Sequence, residues 1–333
     1  MIYLKKTFRE GAVTTLSRCV AVLAALFWSG VVSAQPYPSK PVRMVVPFAP
    51  AGPTDVIGRL VAQKLSESWG QQIYVENLPG AGGNTGTANA AKAPPDGYTI
   101  LVVSTGFIIN PSLYARVPYD PMKDFTPITL VAASPNVITV HPSVPANTVQ
   151  ELIALIKANP TKYSYAQPAI GSTPHLAGEL FKMRYGLDLA MVPFTSAGLA
   201  MNSVLGGHTP IGFTAMPAAM PLIQDGKVRG LAVLSAKRVP GLPDLPTSSE
   251  AGIPDQESDT ITGIVAPAGT PKEIVERWQR EVARIVALPE ISQRLTQLGF
   301  VPIASTSEAF GERLKVEFAK WGKVVRDAKL RIE

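Results

Sequence analysis

Cysteine is almost absent: Cys19 is the one thiol in 333 residues, and His141, His175 and His208 are the only histidines. One cysteine closes no intrachain disulfide, and three scattered histidines form no His-Glu-x-x-His zinc motif. No Gly-x-Ser-x-Gly elbow occurs, and the acidic residues are dispersed rather than paired, so hydrolase and glycosidase readings lack local support. The enzyme alternative is a hydrolase or isomerase assembled from distant loops, which turnover of a candidate acid would expose. Dense metal-ligand spacing is missing as well, and neither a metal nor another cofactor is expected. Long Lys/Arg blocks and basic helices interleaved with aromatics are also lacking, which argues against nucleic acid or a membrane surface as partner.

A long apolar run occurs only near the start. Lys5, Lys6, Arg9 and Arg18 precede apolar residues from Cys19 to Val32, which end in Val32-Ser33-Ala34. This is the charged start, apolar middle and small-residue cleavage site of a secretory signal peptide over residues 1–34. Cleavage after Ala34 removes the only thiol, and with it disulfide, thiolate and Cys-metal chemistry. Taking away four of the 31 basic and one of the 25 acidic residues leaves 27 against 24, a net charge of +3. A mild positive balance suits an anionic ligand.

What remains is long enough for two domains, and 46% hydrophobic content supplies a sizeable core. Short β-branched runs alternate with helical patterns. Val42–Val46 and Ile73–Val75 read as strands around a helix whose face is Val56, Ile57, Leu60, Val61 and Leu65. Further strands are expected at Thr99–Val103, Asn136–Val140, Leu189–Pro193, Pro210–Phe213 and Arg229–Leu234, with helices near 148–158 and 174–185. Ile274, Val275, Trp278, Val282, Ile285 and Val286, then Leu314, Phe318, Trp321 and Val325, mark two amphipathic helices at the end. The class is α/β, with two lobes whose sheets are mostly parallel. Proline-containing stretches, Thr126–Pro145 and Asp259–Pro271, flank a middle segment and read as its connections. Lobe 1 is then discontinuous, 35–139 plus 262–333, and lobe 2 is 140–261. Ligands of open α/β sheets sit beyond the carboxyl ends of strands, so the loops after strands carry the interest.

Three such loops stand out. Pro47 to Asp55 leaves a strand and enters a helix, where free first-turn N–H groups attract anions. It reads either as a carboxylate cradle or as a helix start with Pro53 first and Thr54 or Asp55 capping. Pro79-Gly80-Ala81-Gly82-Gly83-Asn84-Thr85-Gly86 lacks the Lys-Ser or Lys-Thr of a nucleotide loop, yet offers backbone amides beside Asn84 and Thr85. In Gly171-Ser172-Thr173-Pro174-His175, Ser172 or Thr173 caps a helix beginning at Pro174, and the same geometry aims donors at a ligand. His175 is either a ligand contact or a structural histidine.

The ordered motifs YPSKPVRMVVPFAPAGPTD (37–55), ENLPGAGGNTG (76–86), PPDGYTILV (94–102), INPSLY (109–114), VPYDPMKDFTPIT (117–129), GSTPHLAGELF (171–181), PTSSEAGIPD (246–255) and APAGTPKEIV (266–275) cover nearly the whole mature chain. Together they resemble the TctC-like, or Bug, family of periplasmic substrate-binding proteins of tripartite tricarboxylate transporters. The resemblance implies a monomeric clamshell of the type II binding-protein kind in the periplasm. It would close on a small carboxylate, aromatic or dicarboxylic acids included, and hand it to membrane transporter subunits or, alternatively, to a membrane sensor. By motif it assigns ligand contacts to Phe48, Gly52, Thr54, Asp55, Gly82, Asn84, Thr105 and Asn110 in one lobe. In the other it assigns them to Ser172, Thr173, His175, Thr195 and Ser196.

Two departures stand out. Phe194-Thr195-Ser196 replaces a Tyr-Lys-Gly common in relatives, and Ile261-Thr262-Gly263 replaces an aromatic Trp-x-Gly. Smaller side chains at a ligand site would admit a larger or aromatic acid.

Overall fold

The computed structural model describes residues 37–50 and 52–332, so the signal-peptide segment 1–34 and Cys19 lie outside the described residues. Lys40–Glu333 pack as one unit. Its elements run β1 (Val42–Val46), α1 (Pro53–Trp69), β2 (Ile73–Asn77), α2 (Asn84–Ala91), β3 (Thr99–Ser104), α3 (Gly106–Leu113) and β4 (Phe125–Val140). They continue with α4 (Val149–Ala158), β5 (Ser164–Pro168), α5 (Thr173–Tyr185), β6 (Ala190–Phe194), α6 (Ala197–Leu205), β7 (Ile211–Ala215), α7 (Met216–Gln224) and β8 (Arg229–Val233). The chain ends with β9 (Asp259–Pro267), α8 (Lys272–Val286), α9 (Pro289–Gln297), β10 (Val301–Pro302) and α10 (Ser307–Asp327). The expected helical faces are the buried ones: Ile57, Val61 and Leu65 in α1, Val275, Trp278 and Val282 in α8, and Leu314, Trp321 and Val325 in α10.

The fold is α/β and two-lobed, but its sheets are mixed rather than mostly parallel. β1 is parallel to β2 and β3, and β5 is parallel to β6 and β7. Between these groups run β9 and β4, antiparallel to each other and to every other neighbour. The two proline-containing stretches read as connections are largely these strands. All of β4 except Thr126 and Pro127 is buried, and a buried backbone must bond somewhere, which a strand achieves. The prolines fall where pairing is already irregular: register slips between Pro127 and Thr129, and Pro135 is the last β4 residue paired with β9. From Asn136 onwards β4 pairs with β7, and from Val137 with β8. One hydrophobic cluster gathers Leu101, Val103, Phe107, Phe125, Phe310 and Trp321. Another holds Ile138, Tyr165, Phe181, Phe213 and Leu231, with Tyr165 and Phe213 edge to face at 5.3 Å.

Candidate functional site

Loops leaving β1, β2, β3, β5 and β7 meet at a cavity of about 290 Å³, the place where open α/β sheets take ligands. Phe48 follows β1, Gly82 follows β2, and Ser104, Thr105 and Gly106 join β3 to α3. Asn110, Leu113 and Tyr114 extend that wall at helical spacing. Opposite stand Pro168, the last residue of β5, and Ala169 to Gly171 after it, Ser172 to Pro174 at the start of α5, Ala215 at the end of β7, and Thr260 of β9. The first residues of α3 and α5 are thus on one wall each, so two positive helix ends serve the same space. Among the described residues the wall carries no charged side chain. A larger hollow of about 1020 Å³ lies elsewhere, among Pro142, Thr148, Arg229 and Leu245, away from these converging loops.

Two glycines shape this space. Gly82 has φ 66°, and a Cβ there would lie 2.6 Å from the Tyr114 hydroxyl. Gly171 has φ 81°, and a Cβ there would lie 2.1 Å from Leu113 Cδ2 across the cavity. Asn110 Nδ2 donates to Gly82 O at 3.0 Å and to Asn84 Oδ1 at 2.7 Å, which fixes the glycine turn against α3.

Of the residues singled out in sequence, Phe48, Gly82, Thr105, Asn110, Ser172 and Thr173 come together on this wall. The others do not. Gly52 is the backbone cap of α1, and neither Thr54 nor Asp55 caps it. Asp55 is 2% exposed and accepts from Asn77 Nδ2 at 2.8 Å and Arg59 Nε at 2.9 Å. Because Asn77 Nδ2 also donates to Phe48 O at 3.0 Å, this carboxylate fastens the Phe48 loop from behind. Asn84 backs the wall through Asn110, and Tyr119 also donates to it at 3.2 Å. His175 is fully buried, its Nδ1 accepting from Gly171 N at 3.0 Å, and burial lowers its pKa. That bond assigns the proton to Nε2, which lacks a hydrogen-bond partner among the described residues and lies 4.0 Å from Glu179 Oε1. Ser172 is the helix cap, with Pro174 second rather than first in α5. Thr195 and Ser196 are exposed outside the cavity, Ser196 capping α6 through Leu199 N at 3.2 Å. Ile261 is fully buried in the cluster around Phe310, so no residue at either departure from the family pattern lines this cavity.

Sequence reasoning missed Leu113, Tyr114, Ala169, Ala215 and Thr260. Leu113 and Tyr114 stand three and four residues after Asn110, a helical spacing that would have found them. Thr260 gave no local signal, because the register of β9 brings it there.

A family model described as the tripartite tricarboxylate transporter family receptor, TctC, matches residues 57–330. Protein BugT of Bordetella pertussis is 34% identical over 298 residues, 89% of this chain and 91% of that protein. The structure of R. palustris Rpa4515 with adipate shares 35% identity at a TM-score of 0.77, covering 89% of this chain and all of that one. That of MatC from Rhodopseudomonas palustris with bound malate shares 30% at 0.73, covering 87% of this chain and all of the other.

Proposed function

Because the chain belongs to the TctC family of tripartite tricarboxylate transporter receptors, we propose that it is a periplasmic solute-binding protein that captures a small organic carboxylate between its two lobes. Membership in a family of receptors makes it a binding protein, not an enzyme. The observation carrying the ligand class is the wall itself: the first turns of α3 and α5 and the paired hydroxyls of Thr173 and Thr260, which keep one proton for a ligand, stand around one cavity. Such dipoles and hydroxyls hold a carboxylate without a counter-charge. Adipate and malate in the two similar structures support the same class. Ligand contact falls to Phe48, Gly82, Thr105, Asn110, Ser172, Thr173 and Thr260, with Asp55, Asn84 and His175 holding the wall in place. Delivery goes to the membrane subunits of a tripartite transporter, after export by the N-terminal segment 1–34. The division into lobes falls near residues 135 and 258, a few residues before the limits of 139 and 261 read from sequence. Its support is the change of β4 partners after Pro135.

Thermal unfolding of the purified protein against malate, adipate, citrate, benzoate and nicotinate tests this reading. A ligand of the folded state adds about 2.7 kcal/mol at a hundredfold excess over its Kd. A selective rise with one acid supports it, and no rise with any acid, the protein being folded and free of copurified ligand, overturns it.

A further inference from the structure

The second passage between the lobes, residues 257–261, is gripped from two sides. From α10, Lys320 Nζ donates to Glu257 O, and Arg313 Nη2 meets Asp259 Oδ2 at 2.9 Å. Arg313 Nε also donates to Glu317 Oε1 at 2.8 Å, so the guanidinium is itself held in place. From the cavity, Thr105 Oγ1 donates to Asp259 O at 3.3 Å and accepts from Ile261 N at 2.9 Å. The Thr260 hydroxyl bonds to that of Thr173, and Ser258 Oγ donates to Thr173 O at 3.4 Å. Asp259 belongs to both grips: its carbonyl is bonded to the cavity threonine and its carboxylate to the helix arginine.

We propose that Asp259 and Arg313 are a positioning pair for the cavity, fixing residues 259–261 so that Thr105 of one lobe and Thr173 of the other are presented together. Neither charged residue lines the cavity. Each acts through backbone: the ion pair sets where Asp259 O, Thr260 and Ile261 N stand, and the two wall threonines take their orientation from those groups. A half-buried ion pair adds little net stability, but it sets direction, because the more buried Asp259 carboxylate loses both a charge partner and a hydrogen bond if the two part. The Asp259 side chain is 17% exposed and the Arg313 side chain 37%. Removing the charge from Asp259 therefore loosens this segment while leaving the surrounding sheets intact.

The cavity's role as ligand site is taken from the proposed function, whereas the positioning itself is measurable without ligand. Amide hydrogen exchange is followed in the full chain for wild type, Asp259→Asn, Arg313→Gln and Arg313→Lys, with adipate-induced and malate-induced melting shifts in parallel. Segment 259–262 is expected to exchange at least tenfold faster in Asp259→Asn and Arg313→Gln, with β1 and β5 unchanged. Arg313→Lys, which keeps a cation within reach of Asp259, is expected to behave as wild type. Unchanged exchange at 259–262, or acceleration spread evenly over β1 and β5, overturns the proposal. So does a diacid that shifts the wild type and Asp259→Asn equally. If neither diacid nor the wider acid panel shifts the wild type, the ligand class falls and exchange alone decides the positioning.

Discussion

Gly171 and Leu113 face each other across the cavity so closely that one added methyl group on the first would lie 2.1 Å from Cδ2 of the second. The two belong to different walls, one following β5 and the other closing α3. Backbone of one wall thus rests on a side chain of the other, and the spacing between the walls is set there.

Gly171→Ala is therefore expected to lower affinity for the bound acid at least tenfold, or about 1.4 kcal/mol. Adding Leu113→Ala restores part of the loss by making room, but not the part caused by a positive φ. Isothermal titration of both variants checks this, and unchanged affinity in Gly171→Ala refutes it.

Asp55→Asn separates a structural carboxylate from a ligand contact. The substituted amide sets an N–H against the Asn77 or Arg59 donors, costing roughly 1–3 kcal/mol in chemical denaturation. Acid affinity is expected to change by less than the stability does. A variant of normal stability that no longer binds acid places Asp55 at the ligand instead.

Burial lowers the pKa of His175 below its ordinary 6.5, with Glu179 opposing and Lys182 reinforcing. The unfolded chain then binds the proton more readily than the native protein, so the stability tied to neutral His175 is lost as pH falls below about 6.5. His175→Asn keeps an acceptor for Gly171 N without a titrating ring. Its melting temperature is expected to fall less steeply between pH 7 and 5, and a slope equal to that of wild type counts against the assignment.

Asp259 behaves with the opposite sign. Burial raises its carboxyl above the ordinary 3.8, against the pull of Arg313 and Lys320 and with the help of Glu317. The native state holds this proton longer than the unfolded chain, so its contribution to stability declines as pH rises through and above 3.8. Asp259→Asn is expected to lack that decline, measured by denaturant titration from pH 4 to 7.

Much of the architecture was legible because period and punctuation agreed. In β1 and α1 a β-branched run is followed by Pro53 at a helix start and an apolar face at 57, 61 and 65. In β4 and β9 they disagreed: proline reads as a break, while burial on both faces demanded a strand, and no local cue reports burial from distant partners. The same limit governs the site. Thr105 and Ser172 sit at helix starts after strands and were visible as such, whereas Thr260 reaches the cavity only through its pairing with Ser134. Asp55, Asn84 and His175 were conspicuous as polar residues in loop motifs, yet each turns its hydrogen bonds into the wall from behind. Polarity flagged them; orientation, which depends on the packed neighbours, decided their task.

β9 lies between β3 and β4 in the sheet although some 120 residues separate it from the second of these. A chain delivered N-terminus first, whether from the ribosome or through a membrane pore, keeps facing edges of β3 and β4 bare until residues 259–267 arrive. The sheet cannot close between β3 and β4 until nearly all of the intervening chain has been delivered, so this part of its assembly is late and slow by construction. Until then two bare strand edges stand ready to pair with the wrong chain, the kind of surface that chaperones cover.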